Sequence, residues 1–197
     1  MDLTTQETVV SMDPLESIEQ AVLTAQYAYE RDDLELHMAV PGSWRDHQIW
    51  FSYRPDLDVI HMFAALDLKT PDSRYKDVCE LVARLNERLW IGHFEIWHED
   101  GTIVFRHALT LPEAENVSVA QAATMIEAAK EAGERLYPAF HYLLWSGKTP
   151  LEAVAAAMFD TLSFRQPRTC RSGTSAPRGR DDLSPHRFCT SLPRPLF

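Results

Sequence analysis

Residues 93–107, which read HFEIWHEDGTIVFRH, hold the side chains of this sequence best suited to chemistry. His93, Glu95 and His98 form the pattern H-x-E-x-x-H, and His107 follows nine residues after the last of them. Imidazole and carboxylate groups are common zinc ligands and common partners in acid–base catalysis. Whether these side chains can bind zinc depends on local structure. The related zinc-binding motif H-E-x-x-H lies on a helix, which brings its two histidines onto one face.

The local sequence predicts that these histidines and Glu95 lie on β-strands. Asp100-Gly101 separates two runs rich in β-branched and aromatic residues, which is typical of a two-residue hairpin with a type I′ turn. Such a turn fixes the register and places Glu95 directly opposite Arg106, an attractive cross-strand pair. The sequence therefore predicts a β-hairpin with a charged pair on one of its faces.

A hairpin of this register separates the three histidines. Alternate residues of a strand point to opposite faces, so His93 and His98 lie on different sides of the sheet. His98 and His107 share a face, but about four residue pairs, or roughly 13 Å, lie between them. One metal ion cannot bridge that distance, and we predict no metal site in this hairpin.

Searches for other catalytic or cofactor-binding patterns give the same result. The sequence contains no G-x-S-x-G, no G-x-G-x-x-G and no Walker loop. Its seven glycines stand mostly at predicted turns and helix ends, which disfavours a phosphate cradle. Its three cysteines are too scattered for a disulfide framework. We therefore predict a protein that is not an enzyme and has no cofactor.

Helix-start signals and a change of period organise the chain into helices and strands. Capping patterns begin four predicted helices, at Asp13-Pro14, Thr70-Pro71, Ser118-Val119-Ala120-Gln121 and Thr149-Pro150. Between the first two, apolar residues alternate with polar ones, which indicates strands near residues 34–40 and 48–53. Residues 57–68 are apolar on both phases, which suits a central strand covered on both faces. The predicted fold class is α+β, an antiparallel sheet with helices in the order α-βββ-α-ββ-α(α).

Charge divides the chain unevenly. Residues 164–197 hold seven arginines and two aspartates, whereas the rest holds 12 basic and 27 acidic residues. An acidic body repels phosphate backbones, so nucleic acid is not an expected partner. The first residues lack a secretory signal pattern, and no apolar run is long enough to span a bilayer. We expect a cytoplasmic protein.

Three long stretches of the sequence resemble the YbjN-domain proteins of bacteria. They read VPGSWRDHQIWFSYRPDLDVIHM, LDLKTPDSRYKDVCELVARLNERLWIGHFEIW and YPAFHYLLWSGKTPLEAVAAAMFDTL. The resemblance covers roughly residues 13–162 and implies an α+β fold like that of type III secretion chaperones, a fold that commonly dimerises. It also implies a regulator of sensory transduction, and it brings no catalytic residues with it.

The two ends of the chain lie outside this resemblance. Residues 1–12 are predicted to be a flexible N-terminus and residues 163–197 a disordered basic tail, since neither segment has apolar periodicity. Two interpretations of the tail remain open. It is either a natural segment that docks on acidic partners or an out-of-frame extension, because arginine, proline, serine and cysteine without lysine is typical of GC-rich DNA read out of frame.

The predicted function is that of a regulatory or chaperone-like module that binds a protein, either a second copy of itself or a client. When the more apolar phase of each strand is assigned to the core, the opposite phase still carries aromatic residues. A solvated antiparallel face should be mostly polar. The predicted interface therefore consists of the apolar and aromatic members of this phase: Trp50, Val59, His61, Phe63, Trp97 and Val104.

A small-molecule sensor is the alternative prediction. Helix three carries aromatic side chains that would line a pocket between the sheet and the helices. The predicted pocket residues are Tyr137, Phe140, Tyr142 and Trp145. The ligand is unknown, and the competing interpretation, which the sequence favours, is that these residues belong to the core, because aromatic residues dominate protein cores.

Overall fold

The structure, a computed structural model, describes residues 13–111 and 116–163, with side chains as far as residue 158. Every described residue lies in one compact unit of the chain. The predicted flexible N-terminus, residues 1–12, lies outside the described residues. So does the predicted tail, apart from Ser163, which ends the last helix.

The described residues form four helices and six strands. The helices are α1 (Glu16–Thr24), α2 (Tyr75–Asn86), α3 (Val119–Trp145) and α4 (Pro150–Ser163). The strands are β1 (Ala28–Arg31), β2 (Glu35–Val40), β3 (His47–Arg54), β4 (Val59–Lys69), β5 (His93–Ile96) and β6 (Thr102–Thr110). They make one antiparallel sheet in the order β1-β2-β3-β4-β6-β5. The predicted α+β class is confirmed, with one strand more than expected.

Capping groups fix the ends of the long helix α3 where the sequence predicts them. The Ser118 hydroxyl accepts the Gln121 N–H at 3.2 Å, and the Gln121 side chain accepts the Ser118 N–H at 2.9 Å. This reciprocal pair satisfies two backbone donors that a helix start leaves free. At the other end Gly147 takes a φ of +65°, the left-handed conformation that ends helices.

The unexpected strand is β1, at the edge of the sheet. Its four residues, AYER, carry no apolar alternation, so the sequence gives little sign of a strand. Polar contacts hold it instead. The Tyr29 hydroxyl donates to Glu19 of α1 at 2.8 Å, and Arg31 forms ion pairs with Glu19 and Asp13.

The main core lies between the helices and one face of the sheet. It contains the alternate residues of the strands, such as Phe51, Met62 and Phe105, and the buried residues of all four helices. Phe94 packs edge-to-face against Phe105 and Phe140, with ring centroids 5.5 and 5.4 Å apart. We call this set the core cluster.

The hairpin of β5 and β6 forms, but its predicted register is wrong by two residues. Glu95 lies opposite Val104 and not opposite Arg106. The loop has four residues, 98–101, closed by the Gly101 N–H on the Trp97 carbonyl at 2.8 Å. Only Gly101 has a positive φ, +74°, whereas the type I′ turn needs two such residues.

The side chain of Asp100 explains why the wider loop forms. Its carboxylate accepts the Thr102 N–H at 3.0 Å and the Thr102 hydroxyl at 2.6 Å. Lys69, at the end of β4, donates to the same carboxylate at 3.0 Å. A shift of two residues keeps every side chain on its predicted face, because the strand period is two.

Candidate interaction surface

A second group of buried apolar side chains lies on the sheet face opposite the core cluster. It contains Trp50, Phe63, Ala65 and Val104, and the half-buried Trp97 packs against it. We call these five residues the outer-face cluster. Among the described residues, no buried side chain of a helix belongs to this cluster, and apart from two prolines those side chains belong to the core cluster.

Strand register places the outer-face cluster across the middle of the sheet. His37 on β2 lies opposite Trp50 on β3, and Trp50 lies opposite Phe63 on β4. Phe63 in turn lies opposite Arg106 on β6, which lies opposite His93 on β5. Directly opposed side chains of antiparallel strands contact one another, so five strands contribute to one continuous row.

The rings of this row stack on one another. The His37 and Trp50 rings are nearly parallel, 8° apart, with centroids at 6.3 Å. Trp50 and Phe63 stack at 5.1 Å, and the Arg106 guanidinium lies 5.5 Å from the centroid of Phe63. Offset stacking and a cation over a ring face are both favourable geometries for π systems. As a result Trp50 is only 5% exposed and Phe63 2%.

Trp97 covers the row edge-on. Its ring lies 5.7 Å from that of Trp50 and 6.2 Å from that of Phe63, at angles of 69° and 67°. Glu95 holds the indole in place by accepting its N–H at 3.1 Å. The same carboxylate pairs with Arg106 at 3.4 Å, so the predicted charged pair forms, although diagonally. Trp97 is thus fixed at the solvent side of the cluster.

His61 borders the cluster on β4 and lies edge-to-face with Phe63, with centroids 5.7 Å apart. Burial lowers the pKa of His61, and the positive charges of Arg106 and Arg54 lower it further, against an opposing effect of Glu95. The imidazole is therefore neutral at pH 7. A neutral ring beside Phe63 extends the apolar part of this face toward the start of β4.

The structure brings most of the predicted interface residues together. Three of them belong to the buried part of the cluster, Trp97 packs against it, and His61 contacts it through Phe63. Val59 is half-buried at the start of β4, opposite Thr110, and lies outside the cluster. Sequence reasoning missed His37 and Ala65, although their phase in β2 and β4 already assigned both to this face.

The predicted pocket residues lie in different surroundings along α3. Phe140 is fully buried in the core cluster, and Tyr137 and Tyr142 are half-buried against it. Trp145 is 60% exposed and lies 5.0 Å from the ring of His141. Tyr137 stacks with Trp44, which is 51% exposed in the loop between β2 and β3.

The H-x-E-x-x-H motif is spread over the hairpin. His93 is an exposed residue of β5, His98 is exposed in the loop, and His107 is half-buried on the opposite phase of β6. Burial lowers the pKa of His107, and the neighbouring charge of His93 lowers it further. Within residues 13–111 and 116–163, no group of three or more histidine, cysteine, aspartate or glutamate side chains is placed to hold a metal ion.

The class that fold and surface define is an α+β protein whose single sheet has helices on one face and an aromatic cluster on the other. A sequence model of the YbjN family, described as "Putative bacterial sensory transduction regulator", matches residues 14–141. That match spans well over half of the 197 residues, and the chain belongs to the YbjN family. The family resemblance seen in the sequence is confirmed.

Among solved structures, the chain is similar to one described as "Crystal structure of YbjN, a putative transcription regulator from E. coli". The two are 13% identical, with a TM-score of 0.43 over 60% of this chain and 84% of the other. Comparison with curated proteins gives no match. Of the helices that the structure describes, none combines the length and the apolar character needed to cross a membrane.

Proposed function

We propose that this chain is a regulatory protein without catalytic activity that acts by binding another protein through the outer-face cluster. The first partner to expect is a second copy of the chain. The proposal takes its regulatory part from the YbjN family, which is described as a regulator of sensory transduction. Its binding part comes from the sheet.

One observation carries the binding part: an aromatic cluster on the sheet face that no described helix covers. The open face of an antiparallel sheet is normally polar, because water covers it. Here Trp50, Phe63 and Val104 are buried by their neighbours within the sheet, and Trp97 lies over them. Tryptophan anchors in a well-packed setting, with charged residues around them, are the composition of binding hot spots.

The charges around the cluster favour a second copy as the partner. Arg106 and Glu95 lie on one side of it, and Glu35 lies on the far side, on β2. In a two-fold dimer the same surface of each copy contacts that of the other after a half-turn. A surface bordered by both positive and negative side chains can therefore pair opposite charges across the contact. A border of one sign would repel its own copy, and this border has both.

The test is the mass of the full chain in solution over a range of protein concentrations. Trp97→Ser removes the half-buried member on the solvent side of the cluster and leaves the buried members in place. We expect the parent to dimerise and the variant to need at least roughly tenfold more protein for the same dimer fraction, as for a hot-spot residue. Light scattering after size-exclusion chromatography measures both.

Trp90→Ser is the matched control. Trp90 is 99% exposed in the loop between α2 and β5. Its replacement removes the same side chain as Trp97→Ser but leaves the outer-face cluster unchanged. We expect this variant to dimerise like the parent. A parent that is monomeric at every concentration contradicts the second copy as partner, and equal weakening by both variants contradicts the location.

The small-molecule sensor stays a prediction. Phe140, the central residue of the predicted pocket, is 0% exposed and packs on Phe94. Its three companions contact the core edge, Trp44 and His141. No particular observation favours a ligand among these four residues over their packing roles.

A further inference from the structure

A cavity of about 140 Å³ lies between helix α3 and the loop that follows α2. Its lining differs from that of the outer-face cluster and from the predicted pocket. Its lining includes two arginines, Arg88 and Arg135, and apolar side chains, Leu89 and Ile91 with two alanines of α3. Trp90 stands at its edge.

The two arginines have unused hydrogen-bonding capacity. Arg88 is exposed, and among the described residues no ion pair or side-chain hydrogen bond involves its guanidinium. The Nε–H of Arg135 is buried and has no hydrogen-bond partner within the described part of the chain. A buried donor without an acceptor is costly, so a guanidinium that turns this N–H toward an arriving acceptor gains a hydrogen bond that it now lacks.

The charge already present leaves room for one more anionic group. Glu131 approaches Arg135 at 3.5 Å, but its side chain is 73% exposed, and such surface pairs contribute little. One carboxylate therefore faces two guanidinium groups at this cavity. The local excess of positive charge contrasts with the chain as a whole, whose net charge is −10.

The shape and polarity of the cavity select the kind of anion. A phosphate has oxygen atoms on every side, so some of those oxygens would lie against the apolar side chains of the cavity. A carboxylate is polar at one end only and continues as carbon, and guanidinium binds it with two parallel hydrogen bonds. The volume also suits a small ring, since a protein cavity of about 150 Å³ holds one benzene.

We propose that this cavity binds a carboxylate attached to a flat apolar body. Arg88 and Arg135 bind the carboxylate, and Leu89 and Ile91 contact the apolar part. Trp90, which is 99% exposed, covers the bound group from the solvent side. The site is separate from the outer-face cluster, so it stands or fails independently of the proposed protein contact.

The experiment titrates the full chain with benzoate, benzamide and inorganic phosphate. The indole N–H of Trp90 and the backbone amides of residues 88–91 report binding by nuclear magnetic resonance. We expect saturable shifts with benzoate and at least roughly tenfold weaker binding of benzamide, because the neutral amide loses the charge-assisted hydrogen bonds. Phosphate should not displace benzoate at equal concentration.

Three variants locate the site. Arg88→Gln and Arg135→Gln should each weaken benzoate binding at least roughly tenfold, since each removes one charged partner. Arg84→Gln is the control, because Arg84 lies on α2, four residues before Arg88, and pairs with Glu80 outside the cavity lining. Arg88 is exposed, so its variant tests the site even where the Arg135 variant fails to fold.

The outcomes separate the alternatives. No saturable shift with benzoate overturns the proposal. Equal binding of benzoate and benzamide also overturns it and leaves an apolar cavity. Displacement of benzoate by phosphate would show a general anion site, which contradicts the selectivity inferred from the apolar side. Loss of binding in Arg84→Gln would place the ligand elsewhere on α2.

Discussion

The two faces of the sheet bury apolar side chains by different means. On one face, four helices cover the core cluster, and large residues such as Phe51, Phe105 and Phe140 are fully buried between layers. On the other, the outer-face cluster is buried by lateral contacts between neighbouring strands. Val104 and Phe105 are consecutive on β6, yet they belong to different clusters.

The two kinds of burial should affect stability and association differently. A side chain enclosed between two layers loses contacts in every direction when it is removed, and the surrounding structure closes only partly. A side chain of the outer-face cluster is covered by side chains of the same sheet face, which can move into the space left by its removal, so we expect a smaller cavity there. We therefore expect the core cluster to determine the free energy of unfolding and the outer-face cluster to determine association.

The largest effect should come from the core. Phe105→Ala removes a ring that is 0% exposed and packs edge-to-face with Phe94. We expect the free energy of unfolding to fall by about 3–5 kcal/mol, the usual cost of such a change in a closed core. Urea unfolding of the parent and the variant measures it, and a loss below about 2 kcal/mol would contradict a closed, well-packed core.

The matching change on the outer face should cost less. Phe63→Ala removes a ring of the same size that is 2% exposed but stacked within one layer. We expect a loss of roughly 2–3 kcal/mol, close to the transfer free energy of the side chain without a large cavity cost. If both variants lose the same amount at the same protein concentration, the distinction between the two faces fails.

The sequence predicts those elements that are determined by nearby residues and misses those that depend on contacts between distant residues. Caps and alternation are local, so Ser118 with Gln121 and the apolar phases of β2, β3 and β4 predicted helices, strands and faces correctly. Strand β1 depends on Glu19, ten residues before Tyr29, and that contact leaves no local pattern. Local signals therefore predict elements, and contacts between elements decide the edges.

The hairpin shows a second limit. Asp100-Gly101 predicts a tight turn, but the Asp100 carboxylate is occupied with Thr102 and with Lys69 from another strand. That long-range contact changed the register, while the period of two preserved the faces. For the same reason the sequence could locate the outer-face cluster but could not show how its rings stack or that Trp50 is buried.

The loop of residues 98–101, which directly follows Trp97, allows a further test of how the outer-face cluster is positioned. Gly101→Ala should destabilise the protein by roughly 2 kcal/mol, because a Cβ there combines a positive φ with a close approach. The added atom would lie 2.8 Å from the Thr70 carbonyl oxygen. Gly147→Ala is the control, since Gly147 has a similar φ, +65°, with nothing within 4 Å.

Only the steric part of the cost differs between these two glycines. We expect Gly147→Ala to cost about 1 kcal/mol, the conformational part alone. Urea unfolding gives both values. Equal losses would show that the Gly101 loop can move away from Thr70, and the wide loop would then not fix the position of Trp97.

The smallest expected effect is a pH dependence from the outer face. The folded pKa of His61 is lowered by burial and by Arg106 and Arg54, so the unfolded chain binds the proton first. Stability contributed by neutral His61 is therefore present above its ordinary pKa of 6.5 and is lost as the pH falls below it. His61→Gln should flatten part of the stability profile between pH 7.5 and about 5.

Part of the slope should remain in this variant, because burial and His93 also lower the pKa of His107. Chemical unfolding at a series of pH values measures both profiles. Parallel profiles for the parent and His61→Gln would contradict the assignment of a half-buried, neutral imidazole beside Phe63.

Covering of Trp97 by a second copy is the central claim, and hydroxyl-radical footprinting tests it most directly. The parent protein is labelled at low and at high concentration, and mass spectrometry compares the oxidation of Trp97 with that of Trp90 in the same sample. We predict that oxidation of Trp97 falls as the protein concentration rises, because a second copy covers it. Trp90, which is 99% exposed, should stay equally reactive. Unchanged labelling of Trp97 at concentrations where the mass is that of a dimer would place the contact elsewhere and contradict the account.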